Sequence, residues 1–186
     1  MDRSKVPAVL SIAGSDSSGG AGIQADIKTI TAPRLYAETA ITAITAQNTL
    51  GVTAVQNISP DIVAAQIDAV FDDIRPNAVK IGMVSSAEII DVIADRLSAW
   101  NAINVVVDPV MVATSGARLI AEDAAEALTR RLFPLATVIT PNIPEAMALL
   151  DYEVDSERTQ QNAAMLLTRR FGCASYHSQI AGIRVP

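Results

Sequence analysis

A chain of 186 residues, of which 50% are hydrophobic and 18% are charged, has the size and apolar content of one globular domain. Its formal net charge is −6, which argues against the basic surface that a nucleic-acid backbone requires. No apolar run reaches the roughly 18 to 20 residues that span a bilayer, and residues 1–7 lack a secretory signal's apolar segment, so we expect a cytoplasmic protein. Cys173 and His177 are the only residues of their types, which excludes an internal disulfide and a zinc cluster.

The first part of the chain predicts a strand, a loop and a helix, followed by a pair of strands. Residues 8–13 are a short apolar run before a stretch of glycine and serine, which predicts a buried strand and a flexible loop. Isoleucines spaced four and three residues apart predict an amphipathic helix over residues 22–32. Residues 40–46 and 52–58 are rich in strand-favouring residues, and their short connection predicts a hairpin.

Residues 59–150 predict alternating helices and strands. Ser59-Pro60-Asp61 is typical of a helix N-terminus, and this helix should end at Arg75-Pro76. Three further strands are predicted, over residues 78–81, 105–107 and 137–140. The helices predicted after them cover residues 87–100, 122–132 and 144–150. This alternation indicates an α/β protein with three α/β/α layers and a mainly parallel sheet.

Ligands of such sheets bind beyond the carboxyl ends of the strands, so the segments that follow the strands are the candidate site. The glycine loop after the first strand is not a Walker A motif, because no Gly-Lys-Ser/Thr follows it. Residues 20–25 match the dinucleotide pattern G-x-G-x-x-A, which leaves a nucleotide-dependent oxidoreductase as an alternative. Asp16 and Asp26 lie on either side of this loop, with carboxylates able to bind a substrate's hydroxyl or amino groups. The competing interpretation is a surface turn.

Polar residues follow the other strands as well. The Gln47 amide is able to pair with a donor and an acceptor of a heterocycle at once, or to cap backbone at the strand end. Asn142 and Glu145 have the spacing of a helix capping box, and their oxygens also suit a hydrated Mg²⁺ near nucleotide phosphates. Asp108 either caps a loop or faces the cleft. Five polar strand ends on one side of a sheet predict a ligand cleft.

Five segments, in this order along the chain, resemble the hydroxymethylpyrimidine/phosphomethylpyrimidine kinase family: SIAGSDSSGGAGIQADIKT, TAITAQNT, KIGM, DPVMVATSG and TPNIPEA. The resemblance covers roughly residues 8–172 and implies a ribokinase-like domain over residues 1–172. It implies ATP-dependent phosphorylation of 4-amino-5-hydroxymethyl-2-methylpyrimidine, and then of its monophosphate, in thiamin biosynthesis. It also implies a homodimer. The alternative within the family is a non-catalytic protein that binds the pyrimidine or another subunit.

The resemblance also implies roles for individual residues. Six residues are expected to bind the substrate: Gln47, Asp26, Gly14, Ala21, Met83 and Val110. Three are expected to lie near the nucleotide and its phosphates: Asp108, Asn142 and Glu145. Of these three, Asn142 and Glu145 are expected to contact Mg²⁺ through water.

The sequence departs from the family pattern after residue 172. In place of the expected strand and Lys-Gly-Gly segment, the chain reads ASYHSQ and ends at Pro186. The Gly-Thr-Gly-Cys type segment, to which the family assigns the anion hole and the catalytic residue, has no counterpart, so no catalytic residue is assigned. We therefore expect a C-terminally truncated version of the fold, with residues 173–186 as a divergent, irregular tail.

Overall fold

The computed structural model describes residues 6–111, 120–173 and 175–176. These residues form seven strands: β1 (Ala8–Asp16), β2 (Tyr36–Asn48), β3 (Gly51–Asn57), β4 (Ala78–Ile81), β5 (Val105–Val107), β6 (Val138–Ile139) and β7 (Ser175–Tyr176). They also form six helices: α1 (Gly22–Thr31), α2 (Pro60–Asp73), α3 (Ala87–Ala99), α4 (Glu122–Ala127), α5 (Ile143–Leu150) and α6 (Glu157–Phe171). Helix α4 continues as a π-helical turn, Leu128–Leu132, and a 3₁₀ turn, Phe133–Leu135. None of the described helices is long and apolar enough to cross a bilayer.

The strands form one sheet in the order β3-β2-β1-β4-β5-β6-β7. All neighbouring strands are parallel except β2 and β3, which form the predicted antiparallel hairpin. From β1 the chain moves to β2 on one side and later returns to β4 on the other side. The strand order therefore reverses between β1 and β4, and such a reversal opens a crevice at the carboxyl ends of the strands.

Alternating residues of β1 face two different layers. Leu10 and Ile12 are fully buried in the main core, which also contains Ile67 of α2. Ser11 faces the other side, where its hydroxyl donates a hydrogen bond to Asp26 of α1. Right-handed crossovers account for this division, because the chain runs one way from β1 to β2 and the opposite way from β3 to β7. Helix α1 covers one face and the later helices cover the other, which confirms the predicted α/β/α layers.

The C-terminal part of the described chain contains a helix that the sequence patterns above do not predict. Helix α6 begins with a capping box between Ser156 and Thr159 and ends at Gly172, which has a φ of 69°. After it, Cys173 is buried and Ser175–Tyr176 pair with β6. The other residues of the expected irregular tail lie outside the described residues.

Glu38 of β2 has a buried carboxyl group on the core face, and its backbone lies opposite Leu10 of β1 in the sheet register. No described residue donates a hydrogen bond to its Oε2 atom. Burial raises the pKa of Glu38 from 4.5 to about 7, and repulsion from Asp73 adds to this rise. The folded protein therefore holds a proton that the unfolded chain releases between about pH 4.5 and 7.

We expect Glu38→Gln to stabilise the protein at about pH 8 and to leave its stability nearly unchanged at about pH 4. Because the folded-state pKa is raised, the wild type loses stability as the pH rises through about 7, whereas glutamine does not titrate. The gain at about pH 8 should be about 3 kcal/mol, because the rise in pKa from 4.5 to about 7 costs the wild type about 1.4 kcal/mol per pH unit, measured by urea unfolding across this pH range. Glu153→Gln, at an exposed carboxyl, is the control. Equal pH dependence of the wild type and Glu38→Gln would contradict the role of Glu38.

Candidate functional site

A bulge in β2 determines which of its side chains face the glycine loop. Beside Gly14, two steps along β1 correspond to three steps along β2. The buried positions of β2 therefore change from even to odd numbers, so that Thr45 is 5% exposed whereas Ile44 is 50% exposed. Bulges commonly redirect side chains next to functional sites. This one brings Thr45 and Gln47 to the buried side of the strand end.

Gln47 is held at the end of β2 by contacts with the loop that follows β1. Its backbone N–H donates to Ser17 Oγ over 2.8 Å, and Ser17 Oγ donates to the Gln47 carbonyl over 2.7 Å. The Thr45 hydroxyl lies 3.2 Å from Gln47 Oε1 and 3.0 Å from the carbonyl oxygen of Ser15. The two bonds with Ser17 fix the backbone of Gln47, and the Thr45 hydroxyl, whose one proton goes to one oxygen at a time, lies within reach of the carboxamide.

Met83 lies against Gly14, beyond the end of β4. A Cβ atom at Gly14 would be only 3.1 Å from Met83 Cε, so glycine permits this close approach. The Thr42 hydroxyl donates to the Met83 carbonyl over 3.2 Å and ties this segment to β2. Gly14, Met83 and Gln47 therefore belong to one group at the carboxyl ends of β1, β2 and β4.

The Asp16 carboxylate accepts hydrogen bonds from the loop that follows it. It accepts hydrogen bonds from the backbone N–H groups of Ser18, Gly20 and Ala21 at 2.8, 3.0 and 2.8 Å, and from the Ser18 hydroxyl. Burial raises the pKa of Asp16, but these hydrogen bonds outweigh it and keep the pKa below its usual value. A dinucleotide pyrophosphate would need the same N–H groups, so the G-x-G-x-x-A match does not form such a site here.

Lys80 forms an ion pair with Asp26, and its charge also acts on Asp108. Asp26 Oδ2 accepts from Ser11 Oγ over 2.6 Å and from Lys80 Nζ over 3.0 Å. Burial raises the pKa of Asp108, the positive charge of Lys80 opposes this rise, and Asp26 adds to it. Lys80 is not among the predicted site residues, although a lysine inside the apolar strand β4 is a signal of a partly buried ion pair. The ion pair of Asp26 and Lys80 links α1 to the sheet at the level of Ser11, which precedes Gly14 by three residues in β1.

Asn142 and Glu145 form the capping box of α5, as their spacing predicts. Glu145 also contacts the loop after β5. Its Oε1 accepts from the Met111 N–H over 2.8 Å, and its Oε2 accepts from the Asn142 N–H over 2.9 Å. Glu145 is only 1% exposed, so the chain at Met111 is attached to α5 through a buried carboxylate.

Val110, next to Met111, has a φ of 47°. A β-branched residue rarely adopts this left-handed conformation, which costs about 1 to 2 kcal/mol relative to ordinary backbone. Pro109 has a fixed φ and restricts Asp108 to extended conformations, so the change of chain direction falls on Val110. Backbone strain of this kind is found most often at active sites and ligand-binding sites, so Val110 is a candidate site residue.

Known proteins resemble this chain over most of its length. The family model for phosphomethylpyrimidine kinase matches residues 16–175. The hydroxymethylpyrimidine/phosphomethylpyrimidine kinase of Rhizobium meliloti (strain 1021) is 54% identical over 162 residues, which are 86% of this chain and 60% of that protein. The chain therefore spans about 60% of the length of this curated relative.

Solved structures agree with the sequence comparison. The crystal structure of phosphomethylpyrimidine kinase from Clostridium difficile 630 has a TM-score of 0.90 and 46% identity, covering 97% of this chain and 78% of that one. A pyridoxal kinase from Staphylococcus aureus, in complex with AMP-PCP and pyridoxal, has a TM-score of 0.76 and 36% identity, covering 89% of this chain and 60% of that one. Both the fold and the sequence thus confirm the predicted family: the chain belongs to the phosphomethylpyrimidine kinase family.

Proposed function

We propose that this chain binds 4-amino-5-hydroxymethyl-2-methylpyrimidine at the carboxyl ends of β1, β2 and β4. We further propose that the protein transfers phosphate from ATP to this pyrimidine and then to its monophosphate, in thiamin biosynthesis. The proposal rests mainly on Gln47, whose backbone is held by Ser17 and whose carboxamide lies 3.2 Å from the Thr45 hydroxyl, at the strand ends where Met83 packs on Gly14. The name of the Rhizobium meliloti relative supports the substrate.

The chemistry of the pyrimidine fits this group of residues. A carboxamide accepts a hydrogen bond through oxygen and donates through nitrogen, so Gln47 is able to pair with the 4-amino group and a ring nitrogen together. Met83 and Val110 offer apolar surface for the ring, and glycine at position 14 lets Met83 pack closely against the strand end. Ala21 and Asp26 would line the remaining side, near the hydroxymethyl group.

Phosphate transfer forms a bond between the hydroxymethyl oxygen and the γ-phosphorus of ATP as ADP leaves, and the hydroxyl proton passes to a base. We assign that base to no described residue. Asp108, Asn142 and Glu145 are proposed to lie toward the nucleotide phosphates, because all three follow β5 or β6 on the same edge of the sheet. The complex of the Staphylococcus aureus relative with AMP-PCP supports nucleotide use.

Mg²⁺ would neutralise charge on the nucleotide phosphates. Within the described ranges no group of three or more His, Cys, Asp or Glu side chains could hold a metal ion. Direct coordination by Glu145 does not fit, since both its oxygens accept backbone N–H groups. Contact through water leaves these two bonds in place, and both residues lie at the start of α5, on the edge of the sheet proposed for the nucleotide. We therefore propose that Asn142 and Glu145 meet a hydrated Mg²⁺ that arrives with ATP.

Calorimetric titration tests the binding proposal. The chain is titrated separately with the aminopyrimidine, pyridoxal, Mg²⁺-ATP and NAD. We expect binding of the aminopyrimidine, weaker or no binding of pyridoxal, and no binding of NAD. Absence of aminopyrimidine binding would contradict the proposal, and NAD binding would favour the oxidoreductase alternative.

An assay of ADP release tests phosphate transfer. It compares the 186-residue chain with a chimera that adds the remaining C-terminal part of the Rhizobium meliloti relative. We expect release that requires both the pyrimidine and ATP, and faster release by the chimera, because transfer depends on positioning and on charge stabilisation around the phosphates. Binding without transfer by either protein would favour the non-catalytic alternative.

We also propose two further properties, a homodimer, which the family resemblance implies, and a cytoplasmic location, which the sequence patterns favour. Strand β3 supports self-association, because it is an edge strand with exposed residues throughout, including Leu50 before it at 94% exposure. Light scattering after size exclusion measures the mass. A monomer at all concentrations would contradict the dimer.

A further inference from the structure

The loop between β5 and the chain at Met111 combines a strained residue with a buried tether. Val110 has a φ of 47°, and the next backbone N–H, that of Met111, donates to Glu145 Oε1 over 2.8 Å. In turns with proline first and a positive φ second, glycine or asparagine normally occupies the second position. Here that position, after Pro109, is valine. A residue with a side chain ill suited to its backbone suggests that the side chain itself is needed.

Glu145 is well suited to hold this conformation. Its carboxylate is 1% exposed and its two oxygens accept N–H groups from two separate segments, Met111 and Asn142. A buried N–H that lost its acceptor would be penalised, so Met111 stays beside α5. Because Met111 follows Val110 directly, a Met111 N–H fixed by Glu145 limits the backbone conformations that are open to Val110.

We propose that Glu145 is a positioning residue for the pyrimidine pocket, acting through the Met111 N–H to hold Val110 in the conformation that turns its side chain toward the ring. The part that concerns the ring rests on the proposed function. The tether itself is a property of the fold and needs no ligand. This role differs from contact with a hydrated metal, because it requires neither Mg²⁺ nor nucleotide.

A double-mutant cycle without Mg²⁺ and ATP tests the proposal. It compares the wild type, Glu145→Gln, Val110→Asn and the double variant. Gln has one acceptor oxygen where Glu has two, so one of the two N–H groups loses its partner. Asparagine adopts the left-handed conformation readily. Ser156→Ala, which removes the exposed cap of α6, is the control for helix capping alone.

Stability is the first measurement, by urea unfolding. We expect Val110→Asn to raise the folding equilibrium constant by about two- to fivefold, because strain is relieved. In the wild type, the loss of stability in Glu145→Gln is partly offset, because Val110 then relaxes from its strained conformation. In the Val110→Asn background there is no such strain to release, so we expect Glu145→Gln to lower the folding equilibrium constant by a factor at least about three times larger than in the wild type. Equal effects in both backgrounds would overturn the proposal.

Pyrimidine affinity is the second measurement, by calorimetry. We expect Glu145→Gln to weaken binding about tenfold with valine at position 110 and less than about twofold with asparagine there, because the asparagine variant has already lost the apolar contact. Ser156→Ala should leave affinity unchanged. Unchanged affinity in Glu145→Gln would overturn the positioning role.

The design separates three failures. If the wild type binds no pyrimidine, the proposed function fails, and the stability cycle still decides whether Glu145 holds Val110. If Glu145→Gln does not fold, Val110→Asn decides alone: higher stability with lower affinity supports the proposal, and unchanged or lower stability overturns it. If affinity falls equally in both backgrounds, Glu145 acts on the ligand by another route and the proposal is wrong.

Discussion

Gly22→Ala is expected to abolish pyrimidine binding and to lower the stability of the fold by about 3 kcal/mol or more. Gly22 has a φ of 55°, and a Cβ atom there would overlap the carbonyl oxygen of Gly14. An overlap with backbone cannot be relieved by a rotamer change, so β1 and the start of α1 must separate. Gly14 and the loop that carries Asp16 would move with them, and the pocket would lose its shape.

Gly20→Ala is the matched control for this prediction. Gly20 lies in the same loop, but a Cβ atom there would meet only side-chain atoms, at 3.7 and 3.8 Å. We expect a change in stability within about 0.5 kcal/mol for this variant and little change in affinity. Urea unfolding and calorimetric titration measure both quantities. Similar behaviour of the two variants would mean that the close approach of Gly22 to Gly14 is unimportant.

Gln47→Ala is expected to weaken pyrimidine binding by about 1 to 3 kcal/mol, because two hydrogen bonds to the ring are lost. Stability should change little, since the Thr45 hydroxyl keeps the Ser15 carbonyl as an acceptor and the backbone bonds to Ser17 remain. Gln56→Ala, at an exposed glutamine of the neighbouring strand β3, is the control. Calorimetry with both variants checks the prediction. An unchanged affinity in Gln47→Ala would remove this residue from the site.

Much of the fold follows from local patterns in the sequence. The predicted bounds of β4 and β5 agree with the structure, because a short apolar run between turn residues limits where a strand is able to begin and end. The helix after Ser59 is predicted to end at Arg75-Pro76 and ends at Asp73. Helix α6 is absent from the predictions, because only Ala163 and Leu167 of its fifteen residues are buried and its apolar stripe is narrow.

The register of β2 illustrates what local patterns do not contain. The repeat TAITAITA predicts a strand but gives Ile44 and Thr45 no distinct roles. Their burial is determined by the bulge opposite Gly14, which depends on the pairing with β1. Long-range pairing of this kind is invisible to periodicity, although it places Gln47 at the site.

Some contacts of the site residues follow from sequence spacing and others do not. A capping box at Asn142 and Glu145 follows from their spacing, and the structure contains it. The bond from Met111 to Glu145 does not follow, because it joins residues thirty-four positions apart. The ion pair of Asp26 with Lys80 is likewise a product of packing α1 on the sheet. Sequence patterns thus predict the candidate residues, and packing determines which of them meet.

The most direct test of the central claim is a crystal structure of the chain grown with 4-amino-5-hydroxymethyl-2-methylpyrimidine. We predict a ring whose amino group and nitrogen lie about 3 Å from the Gln47 carboxamide, with Met83 and Val110 on its faces and Gly14 beneath it. A ring bound elsewhere, for example in the cavity between α4, α5 and α6 that Ile120 and Arg170 line, with no contact to Gln47, would contradict the proposed pyrimidine site.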